Sequence, residues 1–270
     1  MDGRAVLADV ADLGPFFTVG TGSITAGYRP MIELYTDPEP LRTRIGQVAR
    51  ALDADDRVAA SITFQGLAAL IVSAPYAAVV LHGMLPGLTA RALHWRPVED
   101  GPWALRCRDP VGTAVPDPAA GAAALAELLL EEHLTPLVGA VRAAVPVAER
   151  LLWGSAASAV ASGKRLLGIA RPPAAGRAAE VAERLLAIGP LAGTGRLLRP
   201  APPDRHWSFR RRSCCLYYRV SGGGLCEDCV LLDRRAEVRG GSDAAGTTDG
   251  PHNGGSVEDH LGYRDGDRHL

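Results

Sequence analysis

Five cysteines carry the most specific chemistry in this sequence. Cys107 stands alone, whereas Cys214, Cys215, Cys226 and Cys229 fall within sixteen residues in the pattern C-C-x10-C-x2-C. A C-x2-C turn lets two thiolates face one metal centre, because the intervening pair reverses the chain. Gly222, Gly223 and Gly224 let the loop between the two halves fold back without steric cost. Four soft sulfur donors so close together suit either a tetrahedral zinc ion or an iron–sulfur cluster. The adjacent pair helps to choose. In an extended strand Cys214 and Cys215 would point to opposite faces, so both can ligate only where the backbone bends. One tetrahedral ion is hard to serve from two neighbouring residues. A two-iron rhomb is larger and could take one thiolate on each iron. The spacing therefore favours iron–sulfur over zinc, with a redox disulfide behind both.

The residues around the cysteines have less specific readings. Arg210, Arg211 and Arg212 precede Cys214 and either stabilise the extra negative charge of a reduced cluster or form a solvated basic edge. Lys164 is the only lysine among 29 basic residues, a bias that makes any single arginine weak evidence for a site. Tyr217 and Tyr218 are expected to pack. Asp228 is expected to order its turn by accepting from backbone N–H groups. His206 is an alternative iron ligand of low weight, and His82 and His94 are read as core or surface residues. Cys107 alternates with Leu105 and Trp103 on one face of a strand, so it is read as a core thiol. Gly20-Thr21-Gly22 and Gly193-Thr194-Gly195 lack a phosphate-loop lysine. The sequence holds no dinucleotide fingerprint, nucleophile elbow or H-E-x-x-H pair. Hydride transfer directly from a nicotinamide is therefore not expected, and an external electron donor is.

These residues need a body to position them. With 270 residues, 47% of them hydrophobic and 22% charged, the chain can bury a sizeable core, and wholesale disorder is excluded. The net charge of −1 gives no nucleic-acid signal. Met1-Asp2-Gly3-Arg4 does not open like a secretory signal, so a cytoplasmic location is expected and an exported disulfide framework is not. Asp37-Pro38 predicts a helix start followed by a stripe of Leu41, Ile45, Val48 and Leu52. Residues 58–90 contain no Asp, Glu, Lys or Arg. We read them as two buried helices meeting near Pro75 in preference to a membrane span. Residues 91–98 and 103–109 predict a hairpin around Glu99-Asp100-Gly101-Pro102. Helices are predicted after Asp117-Pro118, Thr135-Pro136 and Pro146, and through Val181, Leu185 and Ile188. The segment Leu151-Leu152-Trp153-Gly154-Ser155-Ala156-Ala157-Ser158 is small enough to admit another backbone, with Trp153 packing between helices. The expected fold is mainly α: a helical, bundle-like body over residues 1–200 with one short β-hairpin, a cysteine-rich segment over 201–238, and a disordered acidic, Gly-rich tail over 239–270.

Arg212-Ser213-Cys214-Cys215, Tyr218-Arg219 and Cys226-x-Asp228-Cys229 resemble the C-terminal [2Fe–2S] signature of the FhuF family of cytoplasmic ferric-siderophore reductases. The helical body, with its Leu151-Leu152-Trp153-Gly154 and Gly193-Thr194-Gly195-Arg196 passages, resembles members from actinobacteria in general character. The resemblance implies a [2Fe–2S] cofactor on Cys214, Cys215, Cys226 and Cys229. It also implies one-electron reduction of a ferric siderophore, of hydroxamate type before catecholate, with electrons from a ferredoxin or flavoprotein. A zinc-stabilised four-cysteine binding module without redox activity is the alternative. A further reading, drawn from the uncharged stretch, is peripheral association with a membrane siderophore importer.

Overall fold

A computed structural model describes residues 2–98, 101–199 and 208–232. His206 and the tail from 239 onward lie outside them. The elements in chain order are α1 (Gly3–Ala11), β1 (Val19–Thr21), β2 (Arg29–Pro30), α2 (Met31–Thr36), α3 (Pro38–Leu52) and α4 (Asp56–His82). There follow β3 (Met84–Pro86), β4 (Leu93–Arg96), β5 (Ala104–Cys107), β6 (Gly112–Ala114) and α5 (Pro118–Ala126). A π-helical run (Glu127–Leu134) leads into α6 (Thr135–Ala144), α7 (Glu149–Ala170), α8 (Ala175–Leu185), β7 (Gly195–Leu198) and β8 (Ser208–Arg211).

The mainly helical expectation holds, and α4 is its centre. Asp55 caps this helix by accepting from the Arg57 and Val58 N–H groups, both at 3.0 Å. The sequence suggests two helices here, but the structure has one, running unbroken through Pro75. A proline inside a helix removes one backbone bond and costs about 3 kcal/mol. Burial on every side of α4, from Val58 through Val80, outweighs that cost. The helix is long and apolar enough to cross a membrane, yet 78% of its apolar window is buried inside the protein by α7, α3, α1 and α5. The uncharged stretch is therefore largely interior. Tyr76 of α4, fully buried, donates to the Ala178 carbonyl of α8 at 2.5 Å.

Two other boundaries differ from expectation. Asp117 caps α5 as expected, accepting from Ala119 and Ala120. Thr135-Pro136, however, starts no separate helix, because the π-helical run carries the chain from α5 into α6 without a break. That run buries His133, whose Nε2 lies 2.7 Å from the Leu88 carbonyl and whose Nδ1 lies 2.7 Å from the Tyr35 hydroxyl. The predicted hairpin exists as β4 against β5, but it belongs to a four-stranded sheet ordered β1-β5-β4-β2, with β1 parallel to β5. Trp95 and Trp103 stack across it at 4.5 Å, and Cys107 is buried on their side, 1% exposed. Two further strand pairs, β3–β6 and β7–β8, go beyond the single hairpin expected. Both are short, and their sequences carry too few alternations to stand out.

Candidate metal centre

The second strand pair delivers the cysteine segment to the helices. Arg211 ends β8 opposite Gly195, and its N–H donates to the Asp228 carbonyl at 3.0 Å, joining the two cysteine pairs of the motif. After Arg212 the chain leaves the strand and bends. Leu216 sits at φ +69°, a left-handed conformation that a branched residue adopts only under constraint. Its N–H turns back onto Cys214 Sγ at 3.3 Å. This is the bend that the adjacent cysteines required. Gly223 then passes so close to the Tyr217 carbonyl that a Cβ there would stand 2.8 Å from its oxygen. The chain closes with a tight turn in which Cys229 N–H donates to the Cys226 carbonyl at 3.0 Å.

The result brings all four predicted ligand residues together. Cys215 Sγ and Cys226 Sγ are 3.5 Å apart, and side-chain contacts continue from Cys215 to Cys214 and from Cys226 to Cys229. Two thiolates bound tetrahedrally to one metal, each at about 2.3 Å, would stand about 3.8 Å apart, so the observed spacing needs little change to accept a metal. Among the described residues no three His, Cys, Asp or Glu side chains converge on a single ion. The thiol contacts run in series instead. Cys215, Cys226 and Cys229 are buried with Val58 and Ile62 of α4 and with Tyr217 and Val220, while Cys214 is partly open to solvent. Cys107 lies in the main core, apart from this group.

Crowding makes Cys214, Cys215 and Cys229 poor acids by themselves. The Cys215 contact and burial hold the Cys214 thiol well above its usual range, and burial raises that of Cys229. At Cys215 the Cys214 contact pulls down, but the Cys226 contact and burial together win and raise it. A bound cationic centre reverses this preference, since a coordinating thiol is deprotonated outright.

Two helices hold the site. Ser61 of α4 donates to the Cys215 carbonyl at 2.7 Å, and Asp55 pairs with Arg219 at 3.6 Å. On α7 the small-residue segment admits the cysteine strand, as its composition suggested. Arg211 is 2% exposed and donates through Nη2 to the Leu151 carbonyl at 3.1 Å and to Ser155 Oγ at 2.9 Å. The three arginines thus part company. Arg210 donates through Nη1 to the Cys229 carbonyl at 2.8 Å, Arg211 is a buried cation, and Arg212 is exposed. Among the described residues, Asp228 accepts no hydrogen bond on its carboxyl from a backbone N–H of its own turn. Burial raises its carboxyl to about 6, while Ser158 of α7 and then Arg211 pull the other way. The Ser158 hydroxyl reaches it without closing a hydrogen bond of full geometry. Trp153 packs as expected, with Nε1 on Glu149 at 3.1 Å, and Tyr217 is buried while Tyr218 is exposed. His82 pairs with Asp9 and His94 contacts the Ala92 carbonyl, so neither is near the thiols. Sequence reasoning missed Ser61, Ser155 and Ser158. Ser155 and Ser158, three apart on a helix of small residues, were the only available signal.

The donor set fits an iron–sulfur group: four clustered sulfurs, one partly exposed, beside a buried cation. Two shielded donors near them, Arg211 Nε and Ser213 Oγ, have no protein acceptor among the described residues. No curated protein matches the chain. Residues 211–231, which contain all four cysteines and Arg211, match the model of the FhuF 2Fe–2S C-terminal domain, and this chain therefore carries an FhuF [2Fe–2S] domain at that position.

Proposed function

We propose that this protein reduces ferric siderophores by one electron in the cytoplasm and releases Fe(II), using a [2Fe–2S] cluster held by Cys214, Cys215, Cys226 and Cys229. The observation that carries the reading is the coincidence of the domain match with a segment whose four thiols lie side by side against two core helices. When bound, the cluster supplies a one-electron carrier. The protein's own residues do the positioning. Ser61 fixes the Cys215 backbone, Arg210 ties down the Cys229 carbonyl, and the partly open Cys214 side gives partners an approach. One electron leaves a reduced ferredoxin or flavoprotein and one enters the ferric ion, with no bond made or broken in the chelate backbone. Hard oxygen ligands hold the ferrous ion poorly, so it dissociates.

Protein purified without oxygen should be red-brown and contain about two irons per chain. Reduced protein mixed with a ferric hydroxamate should give Fe(II) trapped by a ferrous-specific chelator, and Cys226→Ser should not. Colourless protein with stoichiometric zinc would overturn the proposal.

A further inference from the structure

The side of the thiol site that meets α7 carries a charge and two donors that no protein acceptor among the described residues uses. Arg211 Nε and Ser213 Oγ are both shut off from solvent, and neither has a hydrogen-bond partner among the described residues. They lie together over Gly154. A Cβ built at that glycine would come within 3.0 Å of Ser213 Oγ and stand 3.2 and 3.4 Å from Arg211 Nη2 and Nε. Burying a donor without an acceptor is costly, and native proteins rarely tolerate it. The same two residues adjoin the cysteine pair: Ser213 precedes Cys214, and the Arg211 charge acts on the Cys214 and Cys215 thiols. The guanidinium cannot swing away, because Nη2 is held by Leu151 and Ser155. Asp228, on the C-x2-C turn, accepts from the Arg211 N–H through its carbonyl at 3.0 Å, and its carboxyl feels the Arg211 charge.

We propose that Arg211 and Ser213 set the reduction potential of the [2Fe–2S] cluster, Arg211 as a fixed buried cation and both as hydrogen-bond donors to cluster sulfur, with Asp228 as the opposing charge. Reduction adds one negative charge to the cluster. A nearby cation and donors to sulfur stabilise that form more than the oxidised one and raise the potential, and a carboxylate lowers it. These are positioning residues, since none is a ligand. The proposal rests on the cluster and not on the identity of the electron acceptor.

The test is a spectroelectrochemical titration of the cluster-loaded full chain and of Ser213→Ala, Arg211→Met, Arg211→Lys and Asp228→Asn, with iron content measured for each. Ser213→Ala should lower the reduced-to-oxidised ratio at fixed potential severalfold. Arg211→Met should lower it tenfold or more, tenfold being 59 mV for one electron. Arg211→Lys should stay close to wild type, and Asp228→Asn should move in the opposite direction. Iron–sulfur stretching bands should shift on deuterium exchange in wild type and shift less in Ser213→Ala, where the Arg211 donor and the Leu216 N–H on Cys214 Sγ remain. Unmoved potentials with full cluster content would overturn the proposal. So would shifts of the same sign in Arg211→Met and Asp228→Asn, which would mean simple loosening. If Arg211→Met fails to hold iron, Ser213→Ala and Asp228→Asn decide. Wild type lacking iron–sulfur bands would instead sink the proposed function itself.

Discussion

Replacing Gly154 with alanine tests whether the cysteine segment depends on α7 for its position. In an exposed helix this change gains about 1 kcal/mol, because alanine forms helix better than glycine. Here the new methyl would come within 3.0 Å of Ser213 Oγ, where ordinary contact begins at 3.4 Å, and would press on Arg211 Nη2 at 3.2 Å. Overpacking of this kind costs about 1–3 kcal/mol. Displacing Arg211 also endangers its bonds to Leu151 and Ser155, and bonds to a charged group contribute about 1.5–3 kcal/mol each. The net expectation is a loss of about 1–3 kcal/mol in docking, or about five- to a hundredfold faster loss of cluster to a chelator. Visible absorbance against time in excess chelator reads this directly, with thermal melting alongside. The double variant Gly154→Ala/Ser213→Gly should recover much of the loss, because it removes the atom in closest conflict. A single Gly154→Ala variant that melts higher and keeps its cluster as long as wild type would refute the reasoning.

Cys226→Ser or Cys229→Ser should abolish the visible spectrum, while Cys107→Ser, buried in the main core, should leave it intact and cost stability only; anaerobic absorbance with iron content checks both. Ser61→Ala removes the 2.7 Å bond to the Cys215 carbonyl and should cost about 1–3 kcal/mol, read as a lower melting temperature and a faster bleach. His133 should make the fold acid-sensitive. A carbonyl can only accept, so Nε2 carries the proton toward Leu88 and Nδ1 accepts from Tyr35, and burial pushes the imidazole below its usual range. With the folded value below the unfolded one near 6.5, stability is fully present above about pH 6.5 and lost as pH falls below it. Melting temperature against pH should show this component in wild type and not in His133→Gln.

The features legible in the sequence were those carried by local chemistry. Asp37 and Asp117 cap helices because a carboxylate before a helix start meets orphan N–H groups whatever the tertiary context. The four cysteines were legible because spacing alone constrains a turn. Pro75 misled because its local penalty is overridden by burial that no short window reveals. Thr135-Pro136 misled because a π-helical run absorbed the proline without a break. The Arg211, Ser155 and Asp228 network was invisible because Arg211 lies 56 residues from Ser155 and meets Asp228 only across the folded cysteine loop, and with one lysine among 29 basic residues a single arginine is uninformative.

The bond from Ser61 to Cys215 spans 154 residues, and it orders events in time as well as in space. During synthesis the amino-terminal helices emerge first, and α4 can pack long before any of the four clustered cysteines has been made. The metal centre is then completed against a surface already in place. Assembly factors that deliver iron and sulfide meet a finished body with a last segment still closing. A chain cut short before residue 214 would fold most of its core yet have nothing to load, so cofactor content reports on completion of the polypeptide.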